Sequence, residues 1–469
     1  MTPTEQNSPT LSSPYSRRRL ISQLGAGFGG IALASLLADD TGAATANPLS
    51  VKTPHFSARA KRVIMLFMFG GPSHLDTFDY KPRLQRDHGK SLPRSALPRV
   101  LSFPQQLGGL YGSPWKFRQH GKSGTWVSQL FPHIAEIVDD LCVIRSMHCS
   151  NPRHGGAVLE WHTGSDTFIR PSMGSWITYG LGSETQNLPG YITIDQATSQ
   201  GGAHNFGAAF LPATYQGTQL GGGPNARFSY TTADPKRLAA QRLELEMLSR
   251  LAHRNEESGS ELEARIASFE LAFRMQMEAP RALDLAQETQ ATQELYGLNQ
   301  SETADFARQC LLARRFVERG VRFVQCNANG WDAHSGLQKN HAGRARAIDQ
   351  PVAALIQDLK ARGLLDETLV IWGGEFGRTP VSQNADGRDH NCWGFSMWMA
   401  GGGAKPGAVY GRTDDYGFYA VENKVHFHDL HATILHLLGL DHQRLTWRYA
   451  GRDFRLTDIH GEVVRGILA

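Results

Sequence analysis

The sequence predicts an α/β fold, with a mostly parallel central sheet and helices on both faces. Three observations carry this. Short, continuous apolar runs recur along the chain, as strands buried on both faces require. Helical patterns with apolar residues stepping by three and four lie between them. Glycine-rich turns close most of the runs, and Gly supplies 49 of the 469 residues, against a usual share of about 7%. A hydrophobic fraction of 41% and a charged fraction of 20% exclude a mostly disordered or fibrous chain.

Residues 1–46 read as a leader to be set aside from the fold. Ser16-Arg17-Arg18-Arg19-Leu20-Ile21 puts paired arginines before two apolar residues. An uncharged Gly/Ala-rich stretch covers 24–38, and Ala44-Thr45-Ala46 offers a small-residue cleavage site. The stretch is too short and too weakly apolar for a stable membrane span. The pattern resembles a bacterial twin-arginine export signal, which predicts a periplasmic or cell-surface protein.

The remaining chain, 47–469, reads as one α/β domain. Its first strand is the run at 62–69 (RVIMLFMF), ended by Gly70-Gly71-Pro72. Further runs stand at 141–147, 191–194, 321–326, 369–372 and 395–399. Phe306, Cys310, Ala313 and Val317 mark one helix face, closed by Gly320. Val352, Leu355, Ile356 and Leu359 mark a second, with Pro351 at its start and Gly363 after its end. Leu430, Ile434, Leu437 and Leu438 mark a third. Residues 235–298, rich in Glu, Arg, Ala, Leu and Gln with a polar break at 255–260, read as a helical insertion packed on the core edge. The five cysteines are odd in number and form no C-x-x-C pair. Cys310 and Cys326 read as buried small apolar residues.

Ligand groups in open α/β sheets gather at the carboxyl ends of strands. Ser73, His74, Asp76 and Asp79 follow the first run; His148, Cys149, Ser150, Arg153 and His154 follow the second. Asp332, His334 and His341 follow the run at 321–326, and Glu375 and Arg378 follow that at 369–372. Arg388, Asp389 and His390 stand just before the last run. Carboxylates and imidazoles at five such turns suit zinc, manganese or a related divalent ion. Singly, each has a plainer use: Asp332 as a turn cap, Asp389 paired with Arg388, Glu375 paired with Arg378. Arg378 could instead hold an anion. Of His426, His428, His431, His436 and His442, crowded near the last helix, most read as packing or surface residues. The net charge of +4 is small and dispersed, so a nucleic-acid partner is not expected.

GGPSHLDTFD (70–79), RPSMGSWITYGLGS (170–183), NGWDAH (329–334), GGEFGRTP (373–380), GRDH (387–390) and AGGGAKPGAVYGRTD (400–414) resemble a large exported bacterial family, as does SFELAFRMQMEAPRALDL (268–285) within the insertion. That family carries a domain of unknown function in the alkaline phosphatase/sulfatase superfamily. HDLHATILHLLGL (428–440) looks like the C-terminal sulfatase helix. The resemblance implies an alkaline-phosphatase-like three-layer sandwich and one or two divalent metals: zinc, calcium, magnesium or manganese. It implies metal ligands among Asp332, His334, His390, Glu375, Asp76 and Asp389. The match is incomplete. Gly70-Gly71 occupy the place of the first aspartate, and Glu375-Phe376 that of an aspartate–histidine pair. Cys149 to Arg153 has the sulfatase Cys-to-Arg spacing, but Pro152 stands one position late, which leaves Ser150 as a substitute nucleophile. His154, His148 and Arg378 complete the expected catalytic set. The implied function is hydrolysis of a sulfate or phosphate ester, such as that of a sulfated carbohydrate. The alternative is a catalytically degenerate member that binds carbohydrate or protein at the cell surface, with Trp115, Trp126, Trp161, Trp331 and Trp393 as candidate sugar platforms.

Overall fold

The computed structural model describes residues 48–92, 106–196, 199–221, 223 and 278–469, together with 240, 243 and 247. The expected leader and most of the expected insertion at 235–298 lie outside the described residues; toward its end residues 278–283 are helical, and a short helix, α3 (Gln290–Tyr296), follows.

Among the described residues, nine strands form the central sheet. Those the site depends on are β1 (Arg62–Met68), β3 (Leu141–His148), β4 (Tyr191–Ile194), β6 (Phe323–Ala328), β7 (Thr368–Gly373) and β10 (Phe395–Ala400). β5 (Thr218–Leu220), β11 (Val409–Tyr410) and β12 (Val425–His426) complete it. The spatial order is β11-β3-β10-β7-β1-β6-β4-β5, with β12 also on β3. Every apolar run singled out in the sequence is thus a strand. β1 is central and parallel to both neighbours, Met65 standing beside Gln325 on one side and Ile371 on the other.

β10 departs from the parallel expectation: it runs antiparallel to β7 and β3. Its first residue, Phe395, therefore lies opposite Met147 at the end of β3. This reversal brings the residues before β10 to the sheet edge where the parallel strands end. Those residues are not a simple turn. β8 (Gly377–Gln383) and β9 (Gly387–Asn391) form a small antiparallel sheet with β2 (Leu107–Leu110), and Arg378 pairs with His390.

Alternate β1 side chains divide between two cores. Ile64, Leu66 and Met68 pack with α4 (Ala304–Glu318) and α5 (Leu337–Ala361). Val63, Met65 and Phe67 pack with α1 (His154–Thr163), α2 (Met173–Leu181) and α6 (Phe427–Leu437). The architecture is a three-layer sandwich. α5 begins at Leu337 and holds Pro351 in its interior, not at its start. An interior proline costs about 3 kcal/mol. Burial of Ile348, Val352, Leu355 and Ile356 offsets this, at roughly 1.5–3 kcal/mol each. All five cysteines are buried and unpaired. Trp161 and Trp331 are fully buried, so neither can stack on a sugar. Among the described residues no helix is long and apolar enough to cross a membrane.

Candidate metal centre

Four side chains from three strand ends converge at the carboxyl edge. His154 opens α1, Asp332 and His334 stand in the loop after β6, and His390 lies in β9. One ligand atom from each lies within 4.8 Å of every other. His334 Nε2 is 3.0 Å and His390 Nε2 3.4 Å from Asp332 Oδ1. His154 Nε2 is 3.2 Å from Asp332 Oδ2, yet it is buried and makes no aligned hydrogen bond.

The other nitrogen of each ring decides what the cluster can do. His154 Nδ1 stands 2.6 Å from Glu375 Oε1, His334 Nδ1 2.6 Å from Gln383 Oε1, and His390 Nδ1 2.8 Å from the Pro152 carbonyl. Each acceptor oxygen places a hydrogen on Nδ1. The three Nε2 atoms face one carboxylate, the arrangement in which outer oxygens orient imidazole metal ligands. With the orphaned His154 nitrogen, this donor set fits a divalent ion such as zinc.

The charges agree. Burial opposes ionisation of Asp332, but the imidazoles of His154, His334 and His390 and the Arg378 guanidinium hold its carboxyl far below the usual range. Burial also opposes charge on His154, yet Asp332 and Glu375 outweigh it and lift the ring to about 9. His390 goes the other way: burial, together with the Arg378 charge, lowers it to about 3 despite Asp332.

A family profile described as "Protein of unknown function (DUF1501)" matches residues 60–468. The chain belongs to this family. No curated protein matches the sequence significantly. Among solved structures, the chain is similar to Ps i-CgsB in complex with k-i-k-neocarrahexaose, at 12% identity over 81% of this chain and 72% of that one, TM-score 0.35. It is similar to the lipoteichoic acid synthase LtaP from Listeria monocytogenes, at 11% identity over 87% and 78%, TM-score 0.35. It is also similar to the alkaline phosphatase of the Antarctic bacterium TAB5, at 10% identity over 83% and 99%, TM-score 0.34. The architecture rests on the sheet order above, not on these likenesses.

In this DUF1501 chain three expected ligands stand outside the cluster. Asp76 is fully buried and pairs with Arg388 at 2.8 Å, because the chain turns into a short 3-10 helix after Gly71. Asp389 faces away along β9 and accepts the amide of His390. Glu375 stands behind His154 and also accepts Gly70 N, at 3.0 and 3.2 Å; it holds the His154 ring in place. Gly70 itself cannot be replaced by a ligand side chain: its φ is +112°, and a Cβ there would lie 2.4 Å from Asp332 N.

The expected catalytic set divides as well. His154 joins the cluster. Arg378 is fully buried, with its guanidinium on Gly70 O, Gly71 O, Arg388 O and Asp332 Oδ1; it locks the loops, and its donors are taken up by these protein oxygens. Ser150 donates to Glu160 Oε1 at 2.6 Å, and His148 lies against the His426 ring. Cys149 is buried, which pushes its thiol pKa well up.

Glu160, His426 and His428 form a second carboxylate–imidazole group. The sequence reading did not single out this group, since most of the late histidines read as packing or surface residues. There His426 Nδ1 accepts the His428 amide at 3.2 Å. The neutral ring therefore carries its hydrogen on Nε2, toward Ser150 and Glu160. That nitrogen is a donor, and this group does not fit a metal as the first one does. Gln383 and the Pro152 carbonyl, which orient His334 and His390, carried no sequence signal: neither residue type marks an outer-shell acceptor.

Proposed function

We propose that this chain is a metal-dependent hydrolase of a sulfate or phosphate ester, exported by the twin-arginine route to the periplasm or cell surface. The observation that carries this is the convergence of three imidazole Nε2 atoms on Asp332, each ring anchored through Nδ1 on an oxygen. A bound divalent ion would supply Lewis acidity toward the ester and lower the pKa of water.

The protein's own groups set the conditions for that chemistry. Glu375, Gln383 and the Pro152 carbonyl hold the three rings. α1 starts at His154 with no side chain capping it, so its first-turn amides and dipole favour an anion beside the cluster. Asp332, 38% exposed, is the member most open to solvent. Ser150 is held on Glu160, and the Cys149 thiol is buried and protonated. We infer that water is the attacking group.

One contact favours a second reading. Arg378 Nη2 lies 2.6 Å from Asp332 Oδ1 and already supplies a positive charge there. On that reading the chain is a non-catalytic member of the fold that binds carbohydrate or protein. Metal analysis of the purified protein, with a chromogenic sulfate- and phosphate-ester panel on wild type and Asp332→Ala, separates the two. The hydrolase reading expects about one equivalent of ion and loss of turnover by about 10²-fold or more with the fold intact. Less than about a tenth of an equivalent after reconstitution would overturn it.

A further inference from the structure

A cavity of about 620 Å³ opens on the first half of α5, walled by Ser335 and Gly336. These residues directly follow His334. Asn340 Nδ2 donates to Gly330 O at 2.9 Å, so the helix that floors the cavity also holds the loop carrying Asp332 and His334. Lys339, Arg344 and Arg346 line the cavity, and all three are exposed. Glu302, another lining residue, stands 3.7 Å from Arg346. Asp386 holds Gly336 N at 2.8 Å at the start of the helix. Three cations thus face two carboxylates. Among the described residues, ion pairs engage only Arg346 of the three cations.

Lys339, in the first turn of a 25-residue helix, and Arg344, two turns in, make no ion pair among the described residues and stand in a concave surface, which makes a favourable seat for an anion. The floor is open: a Cβ at Gly343 would meet nothing within 4 Å. The volume suits a group of monosaccharide size. No aromatic side chain lines it, so it lacks the stacking surface that single-stranded nucleic acids use.

We propose that this cavity is a subsite for a second sulfate or phosphate group on a polyanionic glycan whose scissile ester lies at the His154–Asp332–His334–His390 cluster. The inference rests on the hydrolase reading for its second half only; anion capture by the cavity stands without turnover. The substrate would be a chain bearing repeated anionic groups. A small monoester would gain nothing from the cavity.

The test is fluorescence anisotropy on full-length protein in EDTA, where no metal-dependent turnover occurs. The probes are a labelled polysulfated hexasaccharide and a labelled phosphorylated oligosaccharide, which distinguish the two anion sources. Lys339→Glu/Arg344→Glu reverses the charge. Gly343→Trp fills the cavity at a helical position where losing Gly favours the fold. Both variants are expected to weaken binding of at least one probe by about tenfold or more, and to leave the kcat/KM of a chromogenic monoester within about twofold. Binding changed less than about twofold in both folded variants would overturn the subsite. So would equal binding of a single-stranded oligodeoxynucleotide of matched charge. Loss of glycan binding in the variants of a protein inactive on every ester would keep the subsite and remove only the hydrolase reading.

Discussion

Glu375→Gln is the sharpest probe of the cluster. The carboxylate is fully buried. Its Oε1 stands 2.6 Å from His154 Nδ1 and 3.0 Å from Gly70 N, and its Oε2 3.2 Å from Gly70 N. Glutamine keeps the volume. With its oxygen at the Oε1 position both contacts there survive, and its NH₂ meets the Gly70 amide donor to donor. The net fold cost is therefore modest, about 1–3 kcal/mol. The larger loss is the negative charge that makes the His154 Nε2 lone pair a strong donor. Removing such an outer partner weakens metal affinity by about 10–100-fold, or about 1.4–2.8 kcal/mol. The assay is competition of metal-free protein with a chromogenic chelator for zinc and for manganese, with circular dichroism confirming the fold. Affinity within about twofold of wild type in a folded variant would refute the role of Glu375.

Three further outcomes are expected. Asp76→Asn leaves the buried Arg388 charge unpaired at a contact of 2.8 Å between two fully buried groups, so urea unfolding should show a loss of about 3–5 kcal/mol. Gly70→Ala drives a Cβ to 2.4 Å from Asp332 N at φ +112°; stability should fall by about 1–3 kcal/mol, with metal binding lost in the same preparation. Burial lowers His162 to about 4, His341 to about 3 and His431 to about 3. The unfolded chain takes up these protons near pH 6.5 and the folded one only near 3–4, so stability is full above pH 6.5 and falls as pH drops through that window. In His162→Gln, urea unfolding across that window should show a slope shallower by up to about 1.4 kcal/mol per pH unit; an unchanged slope would reject His162 as a contributor.

The strands were legible because a parallel strand covered on both faces must be continuously apolar, and 62–69 or 369–372 could be little else. The extent of α5 was not, because a proline read locally as a helix start cannot report that Ile348 and Val352 bury enough surface to carry the helix past it. Asp332, His334 and His390 stood out as ligand-type residues at strand ends. Asp76 and Asp389 stood beside them as further ligand candidates, and only packing separated them.

By itself, then, the sequence determined the α/β alternation, the apolar cores and the sheet edge at which polar groups collect, since these follow from residue type and short-range periodicity. Tertiary structure alone decided which imidazoles meet and which nitrogen each one offers. His154 takes its acceptor 221 residues away, His334 49 away and His390 238 away. The antiparallel entry of β10 carries His390 to the edge at all. A hydrogen bond to one side of a ring sets the chemistry of the other, and no local pattern in the chain encodes a partner that distant.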